Sequence, residues 1–361
     1  MLNYSVYLLT FKAIEKCLEA QMPFACYALP GESEVHFHAD DSQWHSDFQL
    51  SRDDVDGFEG FLISTYGIDD NKQFFGVSPR LSASDVLSRD ITKPKAAISS
   101  PSWHDTDYSQ YIADVEDISG NLSGEGEKAV YARQKVVESR ESITAIAFRY
   151  FSAHPDCFRF YYYTPLTGTW FGASPELLLD FNKVSGELKT MALAGTRPAL
   201  DKTPWSRKNC LEHDIVVKSI CEVFRSLHSD AVCGDTASLQ FSAVEHLFTP
   251  ISAHITRPLS EVICKLSPTP ALCGWPTDKA HAMIISHEKF PRLCYGGSVG
   301  VCSKGKALLY VNLRSVEACS AGKSFFRVIA GGGITIYSDA DEEWNETENK
   351  MKSLIDIITP V

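Results

Sequence analysis

Near the end of the chain, the ten residues DEEWNETENK (341–350) hold five carboxylates, one tryptophan and one lysine. If the run is helical, Glu343, Glu346 and Lys350 are spaced i, i+3, i+7 and share a face, at about 100° per residue. Two carboxylates on one face repel unless a cation lies between them. A hard dication such as Mg2+ takes oxygen ligands of this kind, completed by waters and substrate oxygens. The plain alternative is a charged last helix, acidic at its start and basic later, matched to the helix dipole. The stretch by itself leaves both open.

Four more residues have types and positions suited to chemistry. Glu212, early in NCLEHDIVVKSICEVFRSL, falls inside an apolar stripe beside Ile215, Val216 and Ser219. A carboxylate facing a core needs a partner or a metal, although a first-turn glutamate is also stabilised by the helix N-terminus. Lys128 opens the alternating run KAVYARQKVV after a glycine turn. On the same face as Val130 and Ala132 its amine would be desolvated, which suits a general base. Otherwise it is a strand-edge lysine. Glu176 in FGASPELLLDF is a turn carboxylate or a general acid at a site mouth. Arg314 in LYVNLRSV is expected in a strand, as a bidentate grip on a carboxylate or as a surface arginine. MALAGTRP and VIAGGGI bring Gly195, Thr196, Gly331, Gly332 and Gly333, small residues that let backbone approach a ligand. Neither has a P-loop or dinucleotide-binding spacing.

The elements that must position these residues follow from periodicity. Residues 1–22 form an amphipathic helix, and DYSQYIADVEDISGN another. Ile215, Val216, Ile220, Val223, Phe224 and Leu227 mark a helical stripe. PLSEVICKL and DKAHAMIISHE are further helices. PFACYALPGESEVHFHAD reads as two strands about a turn. FEGFLISTYG, KQFFGVSP, KAVYARQKVV, SITAIAFRYF, CFRFYYYTP, TWFGASPELLLDF, ELKTMALAGTRP, SLQFSAVEHLFTPI and the block 294–337 read as strands. Residues 80–107 read as loop. Strands and helices come in runs, which predicts an α+β fold with antiparallel sheets.

The 361 residues are 44% hydrophobic and 22% charged, with a net charge of −12. This acidity argues against nucleic acid as a partner and requires local cations for any anionic substrate. The 11 cysteines are scattered without a CxxC pair, as expected for reduced thiols in a cytoplasmic protein. No signal peptide is expected in the charged N-terminal segment. No apolar run is long enough for a membrane span.

In order along the chain, FGASPELLL, ALAGTRP, LEHDIVV, VEHLFTPI, SPTPALCGWP, YGGSVG, LYVNLRS, VIAGGGI and EEWNETENK resemble the chorismate-utilising enzymes. These include the isochorismate, salicylate, anthranilate and aminodeoxychorismate synthases. The recognisable motifs lie in residues 106–361, and residues 1–105 add compatible strands and a helix to one domain spanning 1–361. The resemblance implies a single large α+β chorismate-binding domain, two packed antiparallel sheets with helices outside. It implies Mg2+ as cofactor, held by Glu212 and Glu346 with Glu343 close by. It implies substrate contacts from Gly195, Thr196, His246, Ala271, Arg314, Gly331 and Lys350.

It also separates the members. A nucleophilic lysine stands in the aminodeoxychorismate enzymes where this chain has Ala194, and the ammonia-using enzymes lack a counterpart of Lys128. ALAGT together with Lys128 therefore implies water as nucleophile, Lys128 as base and Glu176 as acid, with no obligatory amidotransferase partner. Ala271 implies a stand-alone isochorismate synthase type, of menaquinone or siderophore biosynthesis, rather than a salicylate synthase. A chorismate binder without turnover is the alternative of a different class.

Overall fold

The computed structural model describes residues 4–41, 49–91, 100–124, 126–201, 203–241 and 244–360. Within them two large antiparallel sheets pack together with helices around them. The first runs Gly274–Trp275, Lys128–Ser139, Ser324–Ile334, Ser315–Ser320, Gly168–Ser174, Phe158–Thr164, Phe24–Ala28 and His36–Ala39. The second runs Val232–Cys233, Val244–His254, Glu187–Pro198, Leu177–Asn182, Lys306–Val311, Ser298–Cys302, Gly60–Ser64, Phe74–Val77 and Gln49–Leu50, with Ala237–Phe241 also on Val244–His254. N-terminal strands thus complete both sheets.

One core joins the sheets through Phe160, Tyr162 and Trp170 from the first and Leu179, Leu188 and Leu309 from the second. Val216, Ile220 and Phe224 of helix Arg207–Ser226 and Val262 of helix Leu259–Leu266 enter the same core, as the 3.6-residue stripe predicts. A second core packs helices Tyr4–Ala20, Ile143–Ala153 and Ala340–Ile358 onto the first sheet.

Three expectations change. SITAIAFRYF is not a strand but part of helix Ile143–Ala153. Its β-branched and aromatic residues favour a strand. However, Ile143, Ile146, Ala147, Tyr150 and Phe151 recur at helical spacing and are all buried. Ser142 caps the helix, accepting the Ala145 N–H at 3.1 Å. The loop expected at 80–107 contains the short helix Ala83–Ser88, started by a Ser82–Asp85 capping box; residues 92–99 lie outside the described residues. Arg314 is not in a strand. It sits in the link between Lys306–Val311 of the second sheet and Ser315–Ser320 of the first, with φ of 47°. A chain leaving one sheet for another must break its ladder there.

Among the described residues no helix is long and apolar enough to cross a membrane. The Ser142 cap gives the first test. Ser142→Ala should lower the urea-unfolding midpoint by an amount equivalent to about 1 kcal/mol. An unchanged midpoint would mean that the cap contributes nothing.

Candidate active site

Strand Lys128–Ser139 pairs along its length with Ser324–Ile334, so that Val130, Tyr131 and Ala132 face Gly333, Gly332 and Gly331. Lys128 is 1% exposed, and its Nζ donates to Glu212 Oε1 at 2.7 Å. The missing side chain of Gly333 makes this possible, because a Cβ there would stand 2.8 Å from both Glu212 Oε1 and Lys128 Cε. A buried pair holds the edge of this strand. Arg292, paired with Glu288, donates to the Val130 carbonyl at 2.6 Å, and Glu288 accepts the Ala132 N–H at 2.8 Å. These side chains do the work of a neighbouring strand.

The acidic run forms the start of helix Ala340–Ile358, capped by Asp339. Four of its five carboxylates meet a partner. Asp341 accepts from the Tyr108 hydroxyl, and Glu348 pairs with Arg133, which lies 3.7 Å over the Trp344 ring. Glu343 is 1% exposed, and its Oε1 accepts from Lys208 Nζ at 2.8 Å and Ser338 Oγ at 2.7 Å. Its buried Oε2 has no hydrogen-bond partner among the described residues and lies against Gly332, where a Cβ would come within 2.7 Å. Burial raises the Glu343 pKa, against the pull of Lys208. Glu346 is 36% exposed and pairs with Lys350 at 2.7 Å, while Lys350 Nζ donates to the Gly331 carbonyl at 2.8 Å. The Lys350 ammonium holds the Glu346 carboxyl below its ordinary range. Burial works against the Lys350 charge, but Glu346 and Glu212 keep its pKa raised. Three lysines and three glutamates thus alternate across this seam.

Glu176 lies in the second link between sheets, between Gly168–Ser174 and Leu177–Asn182. The two links run side by side, with the Val311 N–H on the Glu176 carbonyl and the Ala173 N–H on the Arg314 carbonyl. The Glu176 side chain is 4% exposed and accepts from Thr269 Oγ1 at 3.3 Å. Burial pushes its pKa up to about 7, with Thr269, Lys128 and Arg314 pulling the other way. A carboxyl so placed is available as a proton donor near neutral pH.

Gly195 forms a bulge in strand Glu187–Pro198, with φ of +72°. A Cβ there would lie 3.0 Å from the Asn209 carbonyl in the first turn of helix Arg207–Ser226. His246 faces Thr196 in the adjacent strand. Its Nδ1 lies 3.2 Å from both the Gly195 carbonyl and Thr196 Oγ1, and its Nε2 lies 3.2 Å from Arg314 Nη2. Burial and the nearby Arg314 and Lys350 push its pKa down to about 3. Neutral His246 then donates from Nδ1 to Gly195 and accepts at Nε2 from Arg314. Ala271 sits in the turn just after Thr269.

Among the described residues no three histidine, cysteine or carboxylate side chains form a metal cluster. The donors do suit a hard dication. Glu212 and Glu346 are both partly exposed, offer only oxygen, and act on the same Lys350 charge. Mg2+ commonly uses one or two carboxylates and takes the rest from water and substrate. Glu343, with Oε1 doubly engaged, is better placed to tie the last helix to Lys208.

Residues 77–359 match the family model described as chorismate binding enzyme. The chain belongs to the chorismate-binding enzyme family. Isochorismate synthase MenF of Escherichia coli is 32% identical over 248 residues, covering 64% of this chain and 56% of that protein. Isochorismate synthase EntC of the same organism is 31% identical over 212 residues, 54% of this chain and 53% of that protein. The matched part of the chain therefore spans little more than half the length of these relatives. The solved structure of Escherichia coli MenF, the menaquinone-specific isochorismate synthase, superposes with a TM-score of 0.75 at 21% identity. It covers 97% of this chain and 91% of that one, and so shares the fold.

Within this chorismate-binding enzyme the sequence reading missed Lys208, Thr269 and Ser338. Lys208 carried a signal, since it stands four residues before Glu212 on one helix and so shares its face. Thr269 carried none, because its place depends on how a loop packs.

The buried Glu176 carboxyl gives a signed pH prediction. Folded protein keeps its proton up to about pH 7, whereas an unfolded chain loses it near the ordinary glutamate value. Its contribution to stability is therefore full below the unfolded pKa and is lost as pH rises through 7. Wild type should lose on the order of 3 kcal/mol relative to Glu176→Gln between pH 4 and pH 8. Parallel stability curves for the two proteins would show that Glu176 ionises normally.

Proposed function

We propose that this protein is a Mg2+-dependent isochorismate synthase that adds water at C2 of chorismate and expels the C4 hydroxyl. The observation that carries the proposal is the protonated, buried Glu176 set among the charges of Lys128 and Arg314. An acid held ready near neutrality, together with a buried amine, is what displacement of a ring hydroxyl by water requires. The names of the relatives support the substrate.

In this mechanism Lys128 accepts the proton of the attacking water, which forms the new C2–O bond. Both ring double bonds shift as the C4–O bond breaks, and Glu176 gives its proton so that the hydroxyl leaves as water. Lys128 acts as base only when neutral, so its hydrogen bond to Glu212 must give way to the water. Arg314, oriented by His246, and Lys350, anchored on Gly331, supply the cations that a dicarboxylate substrate needs in a chain of net charge −12. The Gly195 bulge and Thr196 give backbone and hydroxyl contacts, and Ala271 leaves room at the loop. Glu212 and Glu346 would hold Mg2+, whose charge would bind the ring carboxylate.

The test is chromatography of products from chorismate and Mg2+, with and without EDTA. Isochorismate alone, lost with EDTA, is expected. Salicylate with pyruvate would make the protein a salicylate synthase, and binding without turnover would make it a chorismate binder. Lys128→Ala and Glu176→Gln should each reduce kcat at least about 100-fold without unfolding the protein. Glu346→Gln should raise the Mg2+ concentration for half-maximal rate at least about tenfold. In wild type, kcat/KM should fall as pH rises through about 7, where Glu176 ionises. Normal turnover by the Lys128 variant would remove it as the base.

A further inference from the structure

Helix Arg207–Ser226 runs back along the edge of the second sheet, where the two-residue strand Val232–Cys233 pairs with Ile251 and Ser252. Cys221, on the last turns of this helix, and Cys233 are 12 residues apart in sequence. The turn between the two elements brings their sulfurs to 3.5 Å. Cys221 is half-buried and Cys233 exposed. A disulfide needs an S–S distance of about 2.05 Å, so the sulfurs must close by roughly 1.5 Å, a movement within reach of two side-chain rotations. No CxxC spacing announces the pair, because a helix end and a strand supply one sulfur each.

We propose that Cys221 and Cys233 are a reversible oxidation site, whose oxidant is a small soluble disulfide and whose product is an intramolecular disulfide bond. The exposed Cys233 thiolate attacks the small disulfide and forms a mixed disulfide, releasing one thiol. Cys221 then attacks the Cys233 sulfur, and the second small thiol leaves. The two cysteines lose two electrons and two protons, and the small disulfide is reduced to two thiols. The contact makes the second step intramolecular.

Cys17, Cys26, Cys157, Cys273, Cys294 and Cys302 are buried and Cys264 and Cys319 half-buried, and burial pushes each of these thiols up, as it does Cys221; the selectivity lies in the exposure of the attacking Cys233 and the nearness of Cys221 to it. Cys210, exposed on the same helix, is the internal control. The bond would brace a weak edge. Its strand has two residues, and Val232 is exposed. It would fasten that edge to the helix that carries Lys208 and Glu212. The proposal does not depend on the reaction proposed above.

The experiment treats the full chain with oxidised glutathione, then blocks free thiols in denaturant and maps tryptic peptides without reduction. Trypsin cleaves after Lys218, Arg225 and Lys265 but not at Arg257–Pro258, so the bond would join peptide 219–225 to peptide 226–265, with fragment ions placing it on Cys233 and not Cys264. Two thiols of 11 should be lost, with that linkage, and dithiothreitol should restore both. Tm should rise by at least about 2 °C on oxidation, and not in Cys221→Ser. Cys221→Ser should instead trap glutathione on Cys233. A stable glutathione adduct on wild-type Cys233, two thiols still free, or preferential oxidation of Cys210 would overturn the proposal.

Discussion

The site depends on an interruption in side-chain packing at Gly331, Gly332 and Gly333, near one end of a long and otherwise filled strand pair. Strand neighbours point to opposite faces, so each missing Cβ opens a different space. Gly333 admits the Lys128–Glu212 contact and Gly332 admits the Glu343 carboxylate, while the Gly331 carbonyl takes the Lys350 amine. An alanine at either of the last two glycines would place a methyl group within 2.8 Å of a charged side chain. The strand keeps its ladder with Lys128–Ser139 throughout, so the site gains this space without losing backbone hydrogen bonds.

Electrostatics then decides how the seam is organised. A buried charge without a partner is costly, and here two of the three lysines meet a glutamate from a different element, while Lys350 meets Glu346 one turn away on its own helix. Lys128 of a strand meets Glu212 of a helix, and Lys208 of that helix meets Glu343 of the last one. These contacts fix the two helices that carry Glu212 and Glu346 relative to each other and to the sheet. Glu176 stands apart. It has a hydroxyl from Thr269 rather than an ion pair at hand, so burial dominates and it keeps its proton. Burial thus raises Glu176, while the Lys350 ammonium lowers Glu346.

Two short links that run side by side between the sheets explain why the acid and the arginine lie where they do. Glu176 and Arg314 occupy neighbouring points where the chain leaves one sheet for the other. Such links are free of both ladders, so their side chains can turn toward the cleft. The positive φ of Arg314 is part of that turn. His246, neutral through burial and its cationic neighbours, fixes the guanidinium from the side.

What the sequence determined by itself was local. The stripe of helix Arg207–Ser226 and the one-turn Glu346–Lys350 pair both follow from spacing within a few residues, whereas residues 128–134 are buried on both faces, so alternation did not decide the burial of Lys128. The order of motifs carried the family. Helix Ile143–Ala153 shows the limit even at this range, since its residue types and its periodicity pointed to different elements. Only the tertiary structure decided which charges meet. Lys128 and Glu212 are 84 residues apart, and Lys208 and Glu343 are 135 apart. Nothing in local spacing chooses between Glu343 and Glu346 as the more accessible acid, or raises Glu176. Those outcomes depend on burial and on neighbours brought by sheet register, where a shift of one residue would turn every side chain to the opposite face.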